Sequence, residues 1–192
     1  MSFFDETKNA GMLLLIIALL GIVFAVIAVF LLDGYKDAEM WKKIVFIAGA
    51  VVGSAVYVIL GLDIMNGSCR FQIGNLFSDV TSKFGVLVAL TAGFGISEII
   101  NSIFAVIAGF DVGSQVLSLV IGVLFIVMAF LLVGDNQDAR KVVWIILLIL
   151  YILMLIGSIL AIIALIGIPM LLLSIFLIVF LVSPEVKEKC GM

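Results

Sequence analysis

The sequence contains no histidine, only two cysteines and two prolines, and few charged residues for its length. Charged residues make up 12% of the 192 residues, whereas apolar residues make up 66%. A soluble domain carries about 25% charged residues, which keep its surface compatible with water. This composition therefore excludes an ordinary soluble protein.

The same absences exclude several kinds of active site. Metalloprotease zinc sites, bis-histidine haem ligation and Ser-His-Asp triads all need histidine, and the chain has none. Two cysteines, Cys69 and Cys190, are too few for a disulfide framework and lack metal-ligand spacing. No Gly-Lys-Ser/Thr phosphate loop is present. We therefore expect a protein that is not an enzyme and that binds no cofactor or metal.

Five long segments carry almost no charge, and their lengths define the expected spans. They are residues 11–32, 44–62, 84–110, 112–133 and 142–182. A helix needs about 20 apolar residues to cross a hydrocarbon core of about 30 Å. Four segments are long enough for one span each, and the fifth is long enough for two. We therefore predict an all-α, polytopic bundle of six transmembrane helices in the cell membrane, with residues 1–192 as one integral membrane domain.

The last apolar segment, residues 142–182, must turn back once, because a single helix of that length would extend about 60 Å. Gly157-Ser158 and Gly167-Ile168-Pro169 are the two candidate turns, since proline disfavours continuous helix. Ser183 is then expected as a helix N-cap with Pro184 in the first helical position. Residues 183–192 would form a short cytosolic tail.

The basic residues favour cytoplasmic termini. With six spans, seven of the ten Lys and Arg residues lie on the side of the termini, and cytoplasmic loops carry an excess of positive charge. An alternative with five spans and a re-entrant hairpin at 84–110, broken at Gly93 and Gly95, gives the same ratio. We prefer six spans, because irregular backbone exposed to lipid is costly.

Small residues recur at steps of three and four on several predicted spans, which allows helices to approach closely. The candidate packing residues are Gly21, Ala25, Gly49, Gly53, Ser114, Ser118 and Gly122. We expect mainly packing within the chain, together with packing between copies or against other membrane subunits. The lipid bilayer is the other expected partner, and a net charge of −3 gives no reason to expect nucleic acid.

Two weaker patterns concern the connections and the overall organisation. Leu76, Phe77, Val80 and Phe84 recur at helical spacing after Asn75, which suggests a short amphipathic helix in the membrane interface. Similar short motifs recur about 100 residues apart, which would fit three-helix repeats at 1–110 and 111–182. Three spans per repeat would make the repeats inverted, as in many transporters.

Glu98 is the one charged residue inside the five apolar segments, and it marks the candidate site. Thr91 precedes it by two helical turns, and Asn101 and Ser102 follow it three and four residues later, so the four residues give one polar face. An acid in the membrane usually faces the bundle interior or a wet cavity, and desolvation favours its neutral form. If the fold brings them near, the polar neighbours available to Glu98 are Asn101, Ser54, Tyr57 and Tyr151. Glu98 is therefore either part of a proton or cation relay with Thr91, Asn101 and Ser102, or a protonated carboxyl that ties helices together.

Two functions from different classes follow. The leading hypothesis is a structural or accessory subunit of a membrane assembly, held together by small-residue helix packing. The alternative is a small solute or ion transporter, or a membrane component of an uptake complex, with its site near Glu98. A midplane cavity that touches Glu98 would favour the transporter, and a dry, packed centre would favour the subunit.

Overall fold

A computed structural model describes residues 6–70, 76–161 and 167–192, which form seven helices and no strand. The helices are α1 (Thr7–Leu31), α2 (Met40–Asn66), α3 (Lys83–Ile107), α4 (Val112–Val133), α5 (Gln137–Ala161), α6 (Gly167–Leu181) and α7 (Pro184–Lys189). The all-α fold predicted from the sequence is confirmed.

The helices α1 to α5 are long and apolar enough to cross a membrane. Helix α6 is equally apolar but has 15 residues, which corresponds to about 22 Å. Residues 162–166 connect α5 to α6 and lie outside the described residues. Five long apolar helices and one shorter one fit a multi-pass membrane protein.

Helix α3 runs without a break from Lys83 to Ile107, so the alternative of a re-entrant hairpin at 84–110 is wrong. Gly93 and Gly95 lie in the middle of this helix, each against a neighbouring helix. A Cβ atom on Gly93 would clash with the Leu60 side chain in α2, and one on Gly95 would come within 2.5 Å of the backbone oxygen of Gly122 in α4. These glycines serve close packing and do not interrupt the helix.

The first of the two candidate turns in the last apolar segment is also wrong. Gly157 and Ser158 lie inside α5, where Ser158 Oγ donates a hydrogen bond to the backbone oxygen of Met154 at 2.6 Å. Because the Ser158 hydroxyl has a hydrogen-bond partner one turn earlier in the same helix, it fits inside α5 without interrupting it. The second candidate adjoins the break between the helices, because α6 begins at Gly167.

Helix α3 lies at the centre of the bundle. It packs along α2 and α4 and also contacts α6 and α7, while α1 pairs with α2 and α5 pairs with α6. In its apolar window 67% of the residues are buried, against 28% to 39% in the other four long helices. The outer faces of those helices are apolar and exposed, as expected for surfaces in contact with lipid tails.

Helices α1 to α6 alternate in direction, which gives the bundle two ends. At the α7 end, Trp144 Nε1 near the start of α5 donates a hydrogen bond to the backbone oxygen of Leu181 at the end of α6, at 2.8 Å. At the opposite end, here the Tyr35 end, the rings of Tyr35, Phe46 and Phe110 contact one another with centroids 4.7 to 5.5 Å apart. This aromatic cluster joins the α1–α2 and α3–α4 connections.

Residues 76–82 form turns and bends, so the predicted interfacial helix is wrong there, and Asn75 lies outside the described residues. The apolar side chains of Leu76, Phe77 and Val80 are buried in the core of the bundle. Their spacing therefore reflects burial under a folded connection. Asp79 holds this turn by accepting hydrogen bonds from Thr81 and Ser82.

Residues 183–192, predicted as a tail, pack against the bundle through α7. Ser183 takes the N-cap position and Pro184 begins the helix, as predicted. Val186 and Cys190 are fully buried. The Glu185 carboxylate accepts hydrogen bonds from the backbone N–H groups of Lys83 at 3.4 Å and Phe84 at 3.3 Å. Helix α7 thus caps the first turn of α3, whose N–H groups have no partner within the helix.

Candidate functional site

Glu98 lies near the middle of α3, about 22 Å along the axis from Lys83 and about 14 Å from Ile107. Within the described residues, its carboxylate forms no hydrogen bond and no ion pair. The described ion pairs lie outside the bundle centre, between Lys36 and Asp33 and between Arg70 and Asp63. A central, unpaired carboxylate makes the space around it the candidate site.

The Glu98 side chain reaches a cavity of about 130 Å³ between α1, α2, α3 and α6, called here the polar cavity. Its lining consists of Ile17, Gly21, Ala50, Ser54, Tyr57, Ser97, Glu98, Asn101, Pro169, Met170 and Leu173. Five of these residues carry side-chain oxygen atoms, and no Lys or Arg is among them. The cavity is therefore suited to a positively charged or hydrogen-bonding occupant.

The polar lining comes from facing sides of α2 and α3. Ser54 and Tyr57 project from α2, opposite Ser97 and Asn101 of α3. Asn101 Nδ2 donates a long hydrogen bond to Ser97 Oγ at 3.5 Å, whereas Asn101 Oδ1 is buried without a partner. Unpaired buried oxygen atoms are costly, so this side of the cavity holds spare acceptor capacity.

Two glycine residues of α2 leave room for side chains of α3. A Cβ atom on Gly53 would lie 2.5 Å from Asn101 Oδ1, and one on Gly49 would lie 2.5 Å from Phe104 Cβ. A Cβ atom on Gly21 would make an ordinary contact with Ser54 Oγ at 3.4 Å. The GxxxG step of α2 therefore lies against α3 of the same chain and admits Asn101 between the two helices.

A second cavity of about 350 Å³, the Tyr35-end cavity, adjoins the first. It shares part of its lining with the polar cavity, including Asn101, and continues past Ala25 to Tyr35 and Gln115. Burial, and secondarily the nearby Asp111 carboxylate, raise the pKa of Tyr35. The phenol therefore stays neutral at physiological pH, as a hydrogen-bonding group at this end.

A third cavity of about 370 Å³, the α4–α5 cavity, lies on the other side of Glu98. Its lining consists of Phe94, Glu98, Ser118, Ile121, Leu124, Phe125, Leu150, Leu153, Met154 and Met170. Only Glu98 and Ser118 among them are polar. The Glu98 carboxylate thus stands between a small polar cavity and a larger apolar one.

The four residues predicted as a relay do not all come together. Glu98 and Asn101 line the polar cavity, but Thr91 and Ser102 line none of the three cavities. Thr91 Oγ1 contacts the Tyr151 hydroxyl at 2.7 Å and the backbone oxygen of Leu87 at 2.6 Å. Ser102 Oγ is buried without a partner. Both residues lie at helical spacing from Glu98 but face other parts of the bundle.

The remaining candidate packing residues have different surroundings. Gly122 and Gly95 form a mutual contact between the backbones of α4 and α3. Ala25 lines the Tyr35-end cavity and Ser118 the α4–α5 cavity. Ser114 is exposed. The small residues therefore serve both close helix contacts and the walls of the cavities.

Several residues that line the polar cavity were not identified as site residues from the sequence. Ser97 lies four residues before Asn101, so the helical spacing of the polar face was sufficient to find it. Pro169 and Met170 join the lining only because α6 packs against α1 and α3, and no pattern in the sequence gives that packing.

The described residues contain no group of three or more His, Cys, Asp or Glu side chains that could hold a metal ion. Comparison of the chain with protein-family models, curated proteins and solved structures gave no match.

Proposed function

We propose that this protein is a small membrane transporter that binds a cation at Glu98. One observation carries the proposal: a carboxylate near the middle of the bundle has no partner among the described residues and borders a cavity to which four other side chains contribute oxygen atoms. A membrane-embedded acid with access to a polar cavity is typical of ion and proton pathways. The structural alternative for Glu98, a tie between helices, needs a bonded partner that the described residues do not provide.

The donor set favours a hard cation or a proton. Carboxylate, amide and hydroxyl oxygen atoms suit such ions better than they suit soft metals. A volume of about 130 Å³ has room for a few water molecules at about 30 Å³ each. The Tyr35-end cavity supports an approach to Glu98 from that end of the bundle, because the two cavities share Asn101 and adjacent lining.

The structural or accessory subunit predicted from the sequence is the second candidate. It is favoured by the outer face of α4, where Val116, Val120, Val123 and Val127 are exposed. A lipid tail covers such a face as readily as another subunit does. The glycine contacts, in contrast, form within one chain, which weakens the main reason for expecting an oligomer.

The predictions from the sequence about topology, internal repeats and enzymatic activity are kept as part of this proposal. Cytoplasmic termini, inverted repeats at 1–110 and 111–182, and the absence of enzymatic activity all stay predictions. If the termini are cytoplasmic, the Tyr35 end faces outward and the route from that end to Glu98 starts outside the cell.

The proposal is tested by measuring ion flux across the membrane of proteoliposomes that contain the purified protein. Under an imposed membrane potential, the wild type is expected to carry protons or a monovalent inorganic cation, read with trapped indicators. Glu98→Gln should lower that flux at least tenfold, because the amide cannot carry the charge that holds the ion. Glu188→Gln is the matched control, since Glu188 is an exposed acid in α7 and its variant should transport normally.

Folding is checked by helical circular dichroism and by gel filtration in detergent. A folded Glu98→Gln variant with wild-type flux would refute a site at Glu98. Absence of flux in the wild type, together with a stable complex of several copies or other subunits, would favour the accessory role.

A further inference from the structure

The α4–α5 cavity differs from the polar cavity in chemistry and in its surroundings. Its walls are apolar apart from Glu98 and Ser118, and its volume of about 370 Å³ is that of a drug-sized molecule rather than of an inorganic ion. An inorganic cation would lose its hydration there without gaining oxygen ligands in return. The occupant must therefore be largely apolar.

The cavity is bounded by residues of the lipid-facing surface. Ile121 and Leu124 of α4 and Leu153 of α5 line it, and their exposed fractions are 36%, 43% and 58%. Helix α4 contacts α5 along a shorter seam than it contacts α3. An apolar molecule dissolved in the bilayer can therefore approach this cavity sideways, between α4 and α5.

The charge of the lining residues determines whether the cavity favours a cation or an anion. Among the described residues that line it, Glu98 is the sole ionisable one, and none is basic and able to neutralise the carboxylate. Two rings, Phe94 and Phe125, stand edge to face at 4.8 Å and form part of the wall. Aromatic faces attract organic cations, most strongly where water is excluded. The wall chemistry is thus complementary to a cation with an apolar body.

We propose that the α4–α5 cavity binds an amphipathic organic cation, with its charged group at Glu98 and its apolar part between α4 and α5. This inference rests on the proposed function, because both assign the bound positive charge to Glu98. It adds the substrate class and a membrane-side entry. Since one carboxylate borders both cavities, a proton held on the polar side and an organic cation on the apolar side compete for it.

The first experiment measures binding of radiolabelled tetraphenylphosphonium to the full chain in lipid nanodiscs. Tetraphenylborate, which has nearly the same size and the opposite charge, is the control for simple partition into apolar space. The wild type should bind the cation saturably and should bind the anion no better than empty nanodiscs do. Acidification should weaken cation binding, whereas binding to Glu98→Gln should be at least tenfold weaker and insensitive to pH.

The second experiment separates the two cavities. Ser118→Phe fills the α4–α5 cavity from its half-buried wall, and Val120→Phe places the same ring on the exposed face of α4, where the valine is 57% exposed. The first variant should weaken tetraphenylphosphonium binding at least tenfold, and the second should leave it unchanged. Both should retain inorganic cation flux. If Ser118→Phe does not fold, the pH dependence of tetraphenylphosphonium binding to the wild type tests whether the cation is held at Glu98.

Three outcomes would overturn the inference. Wild-type protein that carries inorganic cations but binds tetraphenylphosphonium no better than Glu98→Gln would refute the organic-cation site and leave the proposed function intact. Equal binding of the cation and the anion would show that the cavity binds apolar groups regardless of charge, as it would bind a lipid tail. If the folded wild type showed neither tetraphenylphosphonium binding nor inorganic cation flux, both the organic-cation site and the proposed function would be refuted.

Discussion

The contact between Gly122 and Gly95 predicts that one methyl group at the α3–α4 crossing destabilises the bundle. A Cβ atom on Gly122 would lie 2.7 Å from the backbone oxygen of Gly95 and 2.9 Å from Ile99 Cγ1. Ordinary contacts begin near 3.4 Å, so Gly122→Ala must move the two helices apart by roughly half an ångström or more. A backbone oxygen inside a helix cannot move alone, and overpacking of this kind typically costs about 1–3 kcal/mol.

Gly157→Ala supplies the matched control. Gly157 lies inside α5, and no neighbouring atom lies within 4 Å of the place that a Cβ atom would take there. Alanine favours helix over glycine by about 1 kcal/mol, and this gain applies to both variants. The difference between them therefore isolates the packing cost, and we expect Gly122→Ala to be about 1–3 kcal/mol less stable than Gly157→Ala.

Reversible unfolding with SDS in mixed micelles measures this difference as a free energy of unfolding. Flux should also fall in Gly122→Ala, because the displaced Ile99 is the sequence neighbour of Glu98. Equal stabilities for the two alanine variants would refute the close α3–α4 crossing, and with it the position of Glu98 between the cavities.

Two further predictions concern hydrogen bonds. Thr91→Val should destabilise the bundle by about 0.5–1.5 kcal/mol, because it leaves the buried Tyr151 hydroxyl without its partner at 2.7 Å. The double variant with Tyr151→Phe should lose less stability than the sum of the losses in the two single variants. Strict additivity of these losses in the same SDS assay would contradict the hydrogen bond. Burial of Asp79 by itself raises the pKa of its carboxyl, but hydrogen bonds from Ser82 and Thr81 outweigh it and lower that pKa from 3.8 to about 2. The folded state therefore gains stability from the Asp79 carboxylate above pH 3.8 and loses it as the pH falls towards 2. Asp79→Asn should cost about 1 kcal/mol at neutral pH, because the neutral amide lacks the charge that strengthens these hydrogen bonds, and its unfolding curve should converge with that of the wild type under acid.

The fold could largely be predicted because charge and length constrain a chain in lipid so strongly. Four of the five apolar segments correspond to single long helices, and the fifth divides into α5 and α6. The errors arose where local pattern competed with tertiary contact. Gly93 and Gly95 resemble helix breakers in the sequence, yet each accommodates a neighbouring helix. Leu76, Phe77 and Val80 have helical spacing, yet they are buried beneath a turn.

The candidate site could be predicted only in part. Glu98 stands out as the one charged residue in the apolar segments, and Asn101, Ser54 and Tyr57 were its expected polar neighbours; all three line its cavity. Tyr151 was expected there as well, but it bonds to Thr91. The sequence gives the angle of a residue around its own helix but not the identity of the facing helix, so the two cavities on either side of Glu98 could not be foreseen.

The bond from Glu185 to the start of α3 has a consequence for biosynthesis. The ribosome makes Glu185 about 100 residues after Lys83 and Phe84, so α3 enters the bilayer before its first turn can be completed by this carboxylate. Helix α7 is translated after the central helix that it caps, so a nascent chain stalled before residue 184 would carry an α3 whose Lys83 and Phe84 N–H groups lack this partner.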